Sequence, residues 1–211
     1  MTPPVETLLL EKENIEISTK QTLIFAGYRA ASPLPEYAAR AEAVTRQIHE
    51  AFTPRACFLR APIEGRGNDF VDVLGMHLES GPLADLLAPC REVFLFAATA
   101  GTAVDRAIRR AAVTSPVDNV LTDAAGGAAC EAACDEVDRL LAERAGKKLC
   151  QRFSPGYSGL SIACQPDFLR LLDTKRKIGL AITEGGMMAP MKSVTAIVGI
   201  PEIAGTERTL Y

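Results

Sequence analysis

The chain has 211 residues, 48% of them hydrophobic and 23% charged, with 23 Lys and Arg against 26 Asp and Glu for a formal net charge of −3. That balance is ordinary for a globular protein with one sizeable core, and it excludes a disordered chain and a membrane-embedded one. The basic residues are scattered and outnumbered, so no surface that tracks a phosphate backbone is expected and nucleic acid is excluded as a partner. At the N-terminus, Leu8-Leu9-Leu10 runs straight into Glu11-Lys12-Glu13, which is not the pattern of a secretory signal. The apolar runs Val93 to Ala100 and Val194 to Ile200 fall far short of the roughly 20 residues a bilayer requires, so no membrane association and a cytoplasmic location are expected. Six cysteines (Cys57, Cys90, Cys130, Cys134, Cys150, Cys164) form no Cys-x-x-Cys pair and have only His49 and His77 to supplement them, so they read as small buried hydrophobes and no metal site is expected.

Residues Ile15 to Tyr28 read as a short helix, capped by Ser18 or Thr19 and stopped near Gly27. Pro33 and Pro35 break the chain. From Pro35 to Phe52 the apolar residues Tyr37, Ala41, Val44, Ile48 and Phe52 follow the 3.6-residue period of a helix that Pro54 ends. Arg55 to Ile63 reads as a strand, and Gly65-Arg66-Gly67-Asn68-Asp69 as a turn into a second strand, Phe70 to Leu74; the turn is either a flexible loop or an anion cradle. Leu83 to Leu87 is a short helix opened by Gly81-Pro82 and closed by Pro89. Glu92 to Thr99 reads as a buried strand. After Gly101, Thr102 and Asp105 have the spacing of a capping box for a helix with Val104, Ile108 and Ala112 facing inward. A single glycine between strand and helix does not make a dinucleotide site.

Ser115-Pro116-Val117-Asp118 is a strong helix start, and the helix runs to Arg144 with Gly146 as its stop. Its middle, Ala124 to Cys130, contains Gly126 and Gly127 and so little bulk that a neighbour can approach the backbone closely; this is expected to be the central helix. Glu131 beside that surface is either solvated or a ligand contact. Lys147 to Phe153 reads as extended, Gln165 to Asp173 as a short helix with Leu169 and Leu172 inward, and Ile178 to Thr183 and Ser193 to Ile200 as an antiparallel pair of strands flanking a mobile loop.

Two stretches carry the chemistry. Arg152-Phe153-Ser154-Pro155-Gly156-Tyr157 puts a planar cation, a Pro-Gly turn and an aromatic face within six residues, which suits a small ligand with a carboxylate and a flat ring. Thr183-Glu184-Gly185-Gly186-Met187-Met188-Ala189-Pro190 is a hinge-like loop in which Glu184 either meets a ligand or caps the turn. Arg152, Gly156 and Tyr157 match the Arg-x-x-x-Gly-Tyr motif of the reactivation domain of vitamin-B12-dependent methionine synthase. Cys164-Gln165-Pro166-Asp167, Ile178-Gly179-Leu180, Thr183-Glu184, a Met-x-Pro and Ser193-Val194 resemble that family in order and spacing. So do Thr99-x-Gly101-x-x-Val104-Asp105-Arg106-x-Ile108 and Pro116 through Cys134. The resemblance spans residues 92 to 200; the first ninety match poorly, the loop's usual tryptophan is missing, and Gly146-Lys147-Lys148 stand where the family has an acid.

The resemblance implies an α+β fold: a C-shaped mixed α/β domain with an antiparallel sheet packed against helices, among them a long central one. Residues 1–91 would form an N-terminal helical and β segment and residues 92–211 the activation-like region, within one compact domain. It further implies a module that binds S-adenosylmethionine and remethylates, after reduction, a cobalamin carried only by a partner. The partners would be the cobalamin-binding module of methionine synthase or another corrinoid protein and an electron donor such as a flavodoxin. Arg152, Gly156 and Tyr157 would bind the ligand, with Glu184 and Glu131 as further candidates and no general acid or base. The alternatives are a docking module that shields a corrinoid protein without binding S-adenosylmethionine, and an enzyme acting on another carboxylate ligand.

Overall fold

The computed structural model describes residues 3–28 and 34–202; the break expected at Pro33 lies outside them. Strand β1 (Glu6–Leu8) leads to helices α1 (Thr19–Phe25) and α2 (Pro35–Ala51). Strands β2 (Arg55–Pro62), β3 (Gly65–Arg66), β4 (Phe70–Val73) and β5 (Met76–Glu79) precede α3 (Gly81–Leu87), and β6 (Cys90–Thr99) is followed by α4 (Thr102–Ala112) and α5 (Pro116–Ala145). The remainder holds α6 (Gln165–Leu171), α7 (Thr174–Ile178), the short strands β7 (Ala181–Ile182) and β8 (Met188–Ala189), and β9 (Ser193–Pro201).

Four strands form an antiparallel sheet in the order β1-β2-β6-β9, and both of its faces are covered. Side chains alternate along a strand. Ala56, Phe58, Phe94, Phe96, Ala98, Ala196 and Val198 therefore enter one core with α1, α2, α4 and α5, while Cys57, Leu59, Val93, Leu95, Ala97 and Ile197 enter a second. The second core is closed by α3, α6, α7 and the small sheet β3-β4-β5. Double burial is why β6 and β9 read as nearly unbroken apolar runs. Five of the cysteines are buried; burial pushes the Cys57 thiol up to about 12, so it behaves as a hydrophobe.

Helix α5 is the spine of the first layer. Ser115 Oγ accepts the Asp118 amide at its start, and Gly146 takes the left-handed conformation (φ 64°) at its end. A Cβ on Gly126 would lie 3.1 Å from both Ile108 Cδ1 and Val104 Cγ1, and one on Gly127 would lie 3.1 Å from Phe25 Cδ2. The two glycines thus let α4 and α1 seat against the helix.

An antiparallel sheet packed on helices, with α5 as the long one, is the expected fold. Local details differ. The α4 cap is Gly101, not Thr102, and no capping box forms; Asp105 is instead buried and its Oδ2 accepts the Met191 amide at 2.8 Å. Gly101 (φ 95°) sits where a Cβ would fall 2.0 Å from Thr53 Oγ1, so close approach of two backbones sets this residue. Ile178 ends α7 rather than starting a strand, because Thr174 Oγ1 donates to Leu180 O (2.7 Å) and pulls the chain into a turn. The two expected partner strands are not a pair: β9 pairs with β6, and β7 pairs with β8. The Gly-Arg-Gly turn is ordered, with Arg66 donating to the carbonyls of Ala88 (2.6 Å) and Cys90 (2.5 Å). Strand β5 has no counterpart in the sequence reading.

Candidate functional site

After Gly146 the chain runs along the free edge of β9. Cys150 N donates to Gly199 O (3.0 Å), and Phe153 and Ile197 exchange two bonds of 2.9 Å. Alternation then turns Phe153 into the second core and Arg152 the other way, toward α5. Three carboxylates of α5, spaced i, i+4 and i+7 and so on one helix face, receive it. Its Nη2 donates to Glu131 Oε2 (2.5 Å), and its Nη1 donates to Asp135 Oδ1 (2.8 Å) and to Asp138 Oδ2. Arg152 is 22% exposed. Burial opposes its charge, but Asp138 and Asp135 outweigh that and hold its pKa above the ordinary value. Burial likewise pushes the Asp138 carboxyl up, against the pull of Arg152, and its Oδ1 is buried without a hydrogen-bond partner.

Arg152, Glu131 and Asp135 form one wall of a cleft of about 480 Å³ between α5 and α1. Glu16, Ser18, Gln21 and Phe25 form the other, over a floor of Ala128 and Ala132. The Phe25 ring is 45% exposed. Carboxylates outnumber guanidinium here, so the cleft favours a ligand with net positive charge, while Arg152 can still receive a carboxylate and Phe25 a flat ring.

Of the residues singled out in the sequence, Arg152 and Glu131 meet directly; Gly156 and Tyr157 do not line the cleft. Gly156 (φ 87°) needs glycine for its backbone. Its amide donates to Leu160 O (2.8 Å) and that of Tyr157 to Ser154 O (3.2 Å), so the loop satisfies its own donors. The Tyr157 ring is 55% exposed and stands edge-on to Phe153, centroids 5.7 Å apart.

Glu184 is exposed in the turn joining β7 and β8, where Gly186 N donates to Thr183 O (2.9 Å) and Thr183 N to Met187 O (2.8 Å). The segment after β8 is anchored by Asp105 and by the Lys192–Asp123 ion pair (2.9 Å). Asp135, Asp138, Glu16 and Phe25 escaped the sequence reading. The i, i+4, i+7 acid spacing on a recognised helix was a usable signal for the first two; nothing local marks the others. Among the described residues, no group of three or more His, Cys, Asp or Glu is arranged to hold a metal ion, and no helix is long and apolar enough to cross a membrane.

No family model matches the chain, and no curated protein does. Among solved structures, a crystal structure of the MetH reactivation domain bound to AdoHcy superposes with a TM-score of 0.69 at 15% identity, covering 99% of this chain and 81% of that one. The alignment thus takes in the first ninety residues, where the sequence resemblance is poor. The superposition, which covers nearly the whole of this chain, gives it the fold of the methionine synthase reactivation domain.

Proposed function

We propose that this chain is an S-adenosylmethionine-binding module that serves the remethylation of a cobalamin held by another protein, methionine synthase or a related corrinoid protein, acting in trans. The observation that carries the reading is the cleft, with one guanidinium, a surplus of carboxylates and an exposed aromatic ring, in a fold shared with a domain that has AdoHcy bound. S-adenosylmethionine has a carboxylate, an ammonium, a sulfonium and a flat adenine. Arg152 is placed to receive the carboxylate, Glu131, Asp135 and Glu16 the cationic groups, and Phe25 the ring. When bound, the ligand supplies an activated methyl whose departure leaves a neutral thioether, so the protein needs to position it rather than to move a proton. In this reading the exposed loop of Gly156 and Tyr157 and the exposed turn of Glu184 are assigned to contact with the partner and its electron donor.

Calorimetric titration with S-adenosylmethionine is the test. Binding is expected, weakened about tenfold or more in Arg152→Ala, and stronger than for S-adenosylhomocysteine, which lacks the sulfonium charge. No binding in the unsubstituted protein, or equal binding in Arg152→Ala, refutes the assignment. The rival reading, a docking module that binds no methyl donor, draws on the commitment of both Arg152 terminal nitrogens to α5 and of the Gly156 and Tyr157 amides to their own loop. It requires capture of the corrinoid partner with no heat from S-adenosylmethionine.

A further inference from the structure

A second groove lies on the outer side of the helical layer, where α2 and α4 diverge over the start of α5, with a volume of about 700 Å³. Its floor includes Ala103, Ala107 and Ala111, which occupy one face of α4 at helical spacing and leave a flat apolar surface. Its rim holds three guanidinia. Arg40 is fixed by Asp118, to which it donates from Nε (2.5 Å) and Nη2 (2.9 Å). Arg106 and Arg110 stand one turn apart on α4 and have no carboxylate partner among the described residues; Arg106 Nη1 donates only to Thr102 Oγ1 (3.3 Å). Arg110 in the last turn complements the helix dipole, but Arg106, a turn earlier, does not. Of the two acids in the lining, Asp118 is neutralised by Arg40, and Glu50 belongs to the facing helix. The local balance is therefore positive in a chain whose net charge is −3.

We propose that this groove is a binding site for an organic phosphate, with the phosphate on Arg106 and Arg110 and a flat or apolar group on the alanine floor. Paired guanidinia match phosphate oxygens in a bidentate manner, and the volume falls in the range of small-ligand sites, about 300–1,000 Å³. A ligand with both parts binds better than either part alone. The site is independent of the Arg152 cleft.

Titration of the full chain at low salt with ATP, pyrophosphate and sulfate tests this. ATP is expected to bind more tightly than pyrophosphate, and sulfate least. The Arg106→Ala/Arg110→Ala double variant is expected to lose about tenfold or more in ATP affinity. Both side chains are exposed, so the fold should tolerate the change; Arg106→Lys/Arg110→Lys, which keeps the charge and loses the fork, should also bind more weakly. Arg152→Ala should leave ATP binding unchanged. Three outcomes overturn the proposal: no ATP binding, equal ATP binding in the double alanine variant, or sulfate binding as tight as ATP.

Discussion

Arg152 sits in more negative charge than one guanidinium balances, and the consequence is a pH dependence with a definite sign. Burial raises the Asp138 carboxyl above its ordinary value while Arg152 pulls it back. A carboxyl raised in the folded state contributes stability in full below its unfolded pKa and loses that contribution as pH rises through the folded one. Removing the guanidinium removes the pull, so in Arg152→Gln the Asp138 titration should move further up. The variant should come closest to the unsubstituted protein near pH 3, where the raised Asp138 carboxyl is protonated, and fall about 2 kcal/mol below it by pH 7, as expected for a partly buried pair that loses one member. Carbon-13 NMR titration of the Asp138 carboxyl and urea melts at both pH values check this; an unmoved midpoint would remove the pairing from the account. The cation was legible as a residue of interest because it stands beside a Pro-Gly turn and a tyrosine. Its three partners were not, since Glu131 was read alone and Asp135 and Asp138 were not singled out, although their spacing puts all three on one face of α5.

Helix α5 was readable end to end because its caps are local backbone chemistry: a serine oxygen at the first amides, a glycine where the chain must turn left-handed. What its two glycines face depends on other elements, and they should respond differently to the same substitution. Alanine gains about 1 kcal/mol over glycine within a helix. At Gly126 the new methyl would press on Ile108 and Val104, both buried, and overpacking of about 1–3 kcal/mol should win. At Gly127 it meets the ring of Phe25, which is 45% exposed and can swing aside. Gly126→Ala should thus destabilise by about 1 kcal/mol and Gly127→Ala should be neutral or mildly stabilising, by about 0.5 kcal/mol, in equilibrium urea denaturation. The segment after β8 depends equally on distant contact. Asp105 was read as half of a capping box, yet it lies on the buried side of α4 and accepts the amide of Met191. Asp105→Ala should speed hydrogen exchange at Met191 while leaving the amides of β6 protected; equal protection at Met191 would show that the tether does not hold the loop.

At the scale of the molecule, the first ninety residues are built into the same sheet and the same cleft as the rest. Strand β2 pairs with β6 along its whole length, β1 extends the sheet, and α1 supplies Phe25 to the cleft wall. Leu8, Leu10, Ile15 and Ile17 are buried in the first core. At about 1.5–3 kcal/mol each, as an upper bound, their burial amounts to about 6–12 kcal/mol, comparable with the entire stability of a typical domain of about 5–15 kcal/mol. We therefore propose one cooperative unit. Thermal unfolding should show a single transition, and a chain lacking residues 1–28 should give no cooperative melt by circular dichroism. A sharp melt in that truncated chain would mark the remainder as a separate folding unit.

The sequence by itself determined the helices with local start and stop chemistry and the buried strands β6 and β9, and it marked Arg152 as a residue of interest. These follow from backbone capping, from the period of apolar residues and from residue chemistry within a few positions. Only the tertiary structure decided that β9 pairs with β6, that Ile178 closes a helix, and that the cleft beside Arg152 is walled by Glu131 and Asp135 on one side and by Glu16 and Phe25 on the other. The pairing and the cleft join residues far apart in the chain, where hydrogen-bond satisfaction and packing are settled between elements, and the helix end at Ile178 rests on a side-chain bond from Thr174 to Leu180 that apolar periodicity does not encode.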